Sequence, residues 1–152
     1  MGQGFATIGH SNRSPDEVIA MLRADGVDFL VDVRAFPRSR SNPAFNIDVF
    51  PDALEQVQIG HVHCPALGGR RPHEAGTDPE RNGWWRVQSF HNYADHALGP
   101  EFGAAFDRLV EAGRSRRVAM MCAEAVWWRC HRRIITDYLL LNGHPVTHLM
   151  AP

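Results

Sequence analysis

Residues 27–36 read VDFLVDVRAF. They are apolar and β-branched almost throughout, the composition of a strand buried on both faces. Such a strand needs helices on either side of its sheet, and the flanking sequence supplies them. Upstream, SPDEVIAMLRADG (14–26) sets out a helix with Ser14 as N-cap, Pro15 in the first turn and Glu17 completing a capping box. Val18, Ile19 and Leu22 form its apolar stripe, and Gly26 stops it. FATIGHS (5–11) is a first strand. Downstream, NIDVFPDALEQVQIG (46–60) holds a short helix and HVHCPAL (61–67) a third strand. EFGAAFDRLVEAG (101–113) is a helix with Phe102, Ala105, Phe106, Leu109 and Val110 inward. RRVAMMCA (116–123) is a fourth strand, about Trp127 to Leu141 a helix, and HPVTHLM (144–150) a last strand. This alternation predicts one α/β domain over residues 1–152, with a mostly parallel, helix-flanked sheet of about five strands.

The 152-residue length and the 44% hydrophobic, 22% charged composition suit one soluble domain with a real core. No apolar run approaches the roughly 20 residues of a membrane span. The N-terminus lacks the basic and long apolar regions of a signal peptide, so a cytoplasmic protein is expected. Three cysteines, Cys64, Cys122 and Cys130, make no disulfide framework or CxxC pair. The net charge of −1 argues against strong non-specific binding to DNA. All 16 basic residues are arginine, which excludes Schiff-base chemistry on a lysine side chain. Residues 67–90 follow neither helical nor strand period, and a functional loop or lid is expected there.

Open parallel sheets bind ligands beyond the carboxyl ends of their strands. This topology puts His10, Ser11 and Asn12 there, with Asp32 and Arg34, Cys64 to Gly69, and Cys122 to Glu124. Asp32 and Glu124, flanked by arginines and near His10, could activate water or stabilise a cationic transition state. His131 shares a helical stripe with Ile135 and Tyr138 and points to the sheet, where a backbone carbonyl could satisfy it. Arg132 could reach the crevice from the first turn of that helix. The motif WWR occurs twice, at 84–86 and 127–129, and offers stacking platforms beside a phosphate contact. Arg38 and Arg40 lie near the same edge.

Two other chemistries share these residues. LVDVR followed by MMCAEAVWWRCHR resembles in layout the rhodanese domains, which carry a reactive cysteine between strand and helix. Cys122 would then be a nucleophile. Against this, Val126, Trp127 and Trp128 crowd the turn, and Glu124 would repel an anion. His61, His63, Cys64, Cys122, Glu124, Cys130 and His131 are zinc-binding types, but no spacing matches a finger or an HExxH helix. Neither a metal nor another cofactor is expected.

TIGHSNRSPDEVIAMLRADGVDFLVDVRAFPRSRSNPAFN, HCPALGGRR and MCAEAVWWRCHRRIITDYL together resemble the domain-of-unknown-function family 488 of bacteria. The resemblance spans nearly the whole chain. It implies no established reaction, but it implies that GHSN, DVR, LGG and CAE…CHRR belong to one site. The expectation is an enzyme of hydrolytic or N-glycosidic type acting on a phosphate-bearing nucleotide or nucleic acid. Glu124, Asp32, His10, His131 and Cys122 are its catalytic candidates. Ser11, Asn12, Arg34, Arg38, Gly68, Gly69, Arg70, Trp127, Trp128 and Arg132 are its ligand-binding candidates. The alternatives are thiol chemistry at Cys122 and a non-catalytic nucleic-acid-binding module.

Overall fold

The computed structural model describes residues 4–34, 37–38, 42–67, 97, 99–124 and 131–150. Five strands form one all-parallel sheet: β1 (Phe5–Gly9), β2 (Phe29–Asp32), β3 (Gly60–His63), β4 (Val118–Cys122) and β5 (Val146–Leu149). Their order is β3-β2-β4-β1-β5, so β4 lies at the centre, between β2 and β1. Four α-helices are described: α1 (Pro15–Ala24), α2 (Phe50–Gln56), α3 (Pro100–Gly113) and α4 (Arg132–Leu141). Two 3₁₀ turns, Pro43–Phe45 and Pro65–Leu67, precede α2 and follow β3. Among the described residues no helix is long and apolar enough to cross a membrane.

The expected entry into α1 is present in full. Ser14 accepts from the amide of Glu17, and the Glu17 carboxylate accepts from the amide of Ser14. Val18, Met21 and Leu22 are its buried residues, while Ile19 is half-buried. In α3, Phe102, Ala105 and Leu109 are buried, and Phe106 and Val110 pack against the same core. Each expected strand is shorter than its apolar run. HVHCPAL is a strand only through His63, because Pro65 has no amide to continue the ladder and the chain tightens into a 3₁₀ turn. The described part of the last helix starts at Arg132; the expected start near Trp127 and the expected lid beyond Leu67 lie outside the described residues.

Alternation along the strands divides the core in two. Phe5, Val31, Val118, Met120 and Cys122 face α3 and α4, together with Ile134, Ile135 and Leu139. Ala6, Ile8, Leu30, Ala119 and Met121 face α1 and α2, with Val18, Leu22, Phe45 and Leu54. Strand β2 is apolar on both faces because Leu30 and Val31 serve different cores. Parallel pairing also aligns the carboxyl ends of the strands: Gly9 lies opposite Cys122, and Asp32 opposite both Met121 and His63.

Candidate active site

Backbone bonds run past the strand ends and tie the following residues into one edge. His10 N–H donates to the Cys122 carbonyl and Ser11 N–H to that of Ala123, both at 2.9 Å. Val33 N–H donates to Met121 and Cys64 N–H to Asp32, also at 2.9 Å. The GHSN, DVR and CAE segments therefore meet, as their places in the topology require.

Asp32 and Arg34 are two apart on an extended chain, so their side chains emerge on the same face. Arg34 donates from Nε to Oδ1 of Asp32 (2.9 Å) and from Nη2 to Oδ2 (2.7 Å). The Arg34 amide adds a third bond to Oδ1 at 3.0 Å. The pair is 6% and 1% exposed, a fork-on-fork contact taken almost wholly out of water. Nη2 also donates to the Phe45 carbonyl at 2.8 Å, and Nη1 lies 3.4 Å from His10 Nε2.

His10 is 3% exposed and stacks on Phe45 with ring centroids 4.5 Å apart. Its Nδ1 lies 3.0 Å from the Ser11 carbonyl, so the proton sits there and Nε2 offers its lone pair to Arg34. Burial holds the His10 pKa below the ordinary imidazole value. The bond to Ser11 and the Asp32 charge oppose that shift, and the Arg34 charge adds to it. The turn itself is strained, with Ser11 at φ +45°. Asn42 restrains it by donating from Nδ2 to the Ser11 carbonyl at 2.9 Å and to that of Arg13 at 3.3 Å. Asn12, beside it, is exposed.

Two further histidines hold the chain that leaves β2. His131 donates from Nε2 to the Val33 carbonyl (2.8 Å), and His63 from Nε2 to the Arg34 carbonyl (2.6 Å). For His131 this is the backbone partner that its helical position suggested. His61 shares the Asp32 face of β3; burial lowers its pKa, with the charge of Asp32 acting against that and those of His63 and Arg34 adding to it.

Glu124 stands in a different setting. It follows β4, the central strand, and is exposed. Its main chain is fixed from below: Arg132 donates from Nη2 to its carbonyl (2.5 Å), and Cys122 Sγ donates to the same oxygen (3.6 Å). Cys122 is 2% exposed and belongs to the core facing α3 and α4. Those surroundings are the ones in which a cysteine acts as a small apolar residue. Arg132, expected to reach the crevice, is instead 0% exposed beneath it and also contacts the Thr7 hydroxyl at 3.3 Å. Arg38 is exposed and pairs with exposed Asp48 at 3.0 Å.

Gly68, Gly69, Arg70, Trp127 and Trp128 lie outside the described residues. Among the described residues no three His, Cys, Asp or Glu side chains gather as a metal set. Sequence reasoning missed Phe45, Asn42, Thr7 and His148, and gave His63 only a metal-binding part. Thr7 carried one signal, a hydroxyl in the middle of the apolar run FATIG.

The protein falls in the class of all-parallel α/β domains, here with a buried Asp–Arg–His brace and an exposed glutamate at the carboxyl edge of the sheet. Within it, the chain belongs to the family described as Domain of unknown function DUF488, whose model matches residues 14–139. The DVR, LGG, CAE and CHRR motifs all fall inside that match. Comparison with curated proteins and with solved structures gave no match.

Proposed function

We propose that the protein is an enzyme of hydrolytic or N-glycosidic type, acting on a phosphate-bearing nucleotide or nucleic acid, with Glu124 as its acting carboxylate. One observation carries this reading: the two edge carboxylates are separated by environment. Asp32 spends its lone pairs on Arg34 and is 1% exposed, so it is poorly placed to take a proton from water. Glu124 is exposed at the end of the central strand, on a main chain held by Arg132 and Cys122. A carboxylate so placed takes the proton of an attacking water as general base, or stabilises the cation left when a glycosidic bond breaks. Asp32, Arg34 and His10 then act as the brace that sets the walls of the site. The phosphate-bearing partner is supported by the two WWR motifs and by Arg38 and Arg40, features of sequence. The thiol alternative draws no support from a Cys122 that is 2% exposed.

The test is turnover on a panel of nucleoside monophosphates, dinucleotides and single-stranded oligonucleotides, read by product chromatography. The wild type is expected to convert at least one member, and Glu124→Gln to lose on the order of 10²–10⁴-fold in kcat. Absence of conversion by the wild type across the panel, or full activity in Glu124→Gln, overturns the reading.

A further inference from the structure

The brace around Asp32 lies on the α1/α2 face of the sheet. A second buried polar chain lies on the opposite face, beneath Glu124. Arg132 begins α4, where a cation faces the positive end of the helix dipole, and it is wholly buried. Both conditions disfavour a guanidinium, so its partners must offset them. Nη2 donates to the Glu124 carbonyl, and Nη1 donates to the hydroxyl of Thr7, itself 0% exposed. Thr7 Oγ1 also lies 2.5 Å from His148 Nδ1 on edge strand β5, a contact in which the hydroxyl donates when the imidazole carries its proton on Nε2. The Arg132 charge beside it favours that neutral form of His148.

We infer that Thr7 and His148 are positioning residues, which orient Arg132 so that it clamps the Glu124 main chain at the carboxyl edge. The functional meaning of the clamp rests on the role proposed above for Glu124; the clamp itself does not. The alternation of FATIG shows why the threonine is needed: Phe5 and Thr7 share the face toward α4, and a valine would fill Thr7's volume without orienting anything. The low proton affinity of His148 agrees with this geometry, since burial and the Arg132 charge lower its pKa to about 4.

The experiment compares Thr7→Val and Thr7→Ser by NMR. Two readouts are followed: the ¹⁵N-detected tautomer of His148, and amide exchange at Ser11, whose N–H donates to Ala123 immediately before Glu124. Thr7→Val is expected to lose the pure Nε2–H tautomer and to speed Ser11 exchange about fivefold to tenfold. Thr7→Ser is expected to restore both. Unchanged exchange and tautomer in Thr7→Val overturn the inference, as does a valine effect that serine fails to reverse. Neither readout needs a substrate, so a failure of the glutamate chemistry, seen as full turnover by Glu124→Gln, is distinguishable from a failure of the clamp.

Discussion

The carboxylate buried at Asp32 is fully partnered, because the residue two places on returns a guanidinium to it in bidentate geometry. The same spacing was legible in DVR; its consequence was not. Sequence places Asp32 at a strand end beside an arginine, which suits both a base and a brace, and only the 1% exposure and the third bond from the Arg34 amide separate the two. His10 was legible in the same limited way, since nothing in GHSN announces that Phe45 will stack on it. A buried pair of this kind depends on both members. Arg34→Met strands a charge and is expected to lower unfolding free energy by about 3–5 kcal/mol. Adding Asp32→Leu removes the stranded charge, and the double variant is expected to recover a large part of the loss. Urea denaturation of the two variants checks this; a double variant weaker than Arg34→Met contradicts the pairing.

Helix α3 shows what a single methyl group does at two places along one element. Gly103 is exposed, and a Cβ there would meet nothing within 4 Å, so Gly103→Ala brings only a gain in helix propensity. Gly113 is buried at the other end, where a Cβ would come to 2.3 Å from the ring of Phe5, itself 1% exposed. Thermal denaturation is expected to show Gly103→Ala more stable by roughly 0.5–1 kcal/mol and Gly113→Ala less stable by about 1–3 kcal/mol. Equal effects would mean that α3 does not pack on β1 in this way. Element order, the parallel class and the capping box of α1 were all legible, because hydrophobic period and caps are local. The end of β3 was less so: HVHCPAL keeps its apolar content past His63, and only the missing amide of Pro65 marks the stop.

Among the described residues, three histidines spread over the molecule, His10, His61 and His148, are held below the ordinary imidazole value, in each case chiefly by burial. An unfolded chain takes up those protons near pH 6.5, and the folded chain only at lower pH. Stability is therefore full above that value and falls as pH drops through it toward about 4, where His148 titrates in the fold. Asp137 has the opposite sign, because burial raises its pKa, but it acts lower, from the carboxylate range upward. Urea midpoints are expected to decline between about pH 7.5 and 5; a flat or rising profile contradicts the burial of these rings. What sequence could not supply is the long-range part of the site. Asn42 on the Ser11 turn and Thr7 between Arg132 and His148 join residues far apart in the chain, and no local pattern encodes such partners. The proposed chemistry turns on the division of work between the two edge carboxylates. The direct measurement is kcat per folded molecule for Glu124→Gln and Asp32→Asn on a substrate the wild type converts, with the folded fraction taken from each variant's unfolding curve. The prediction is a fully folded but inactive Glu124→Gln beside a destabilised Asp32→Asn whose folded molecules still turn over. A stable, inactive Asp32→Asn beside an active Glu124→Gln would contradict it.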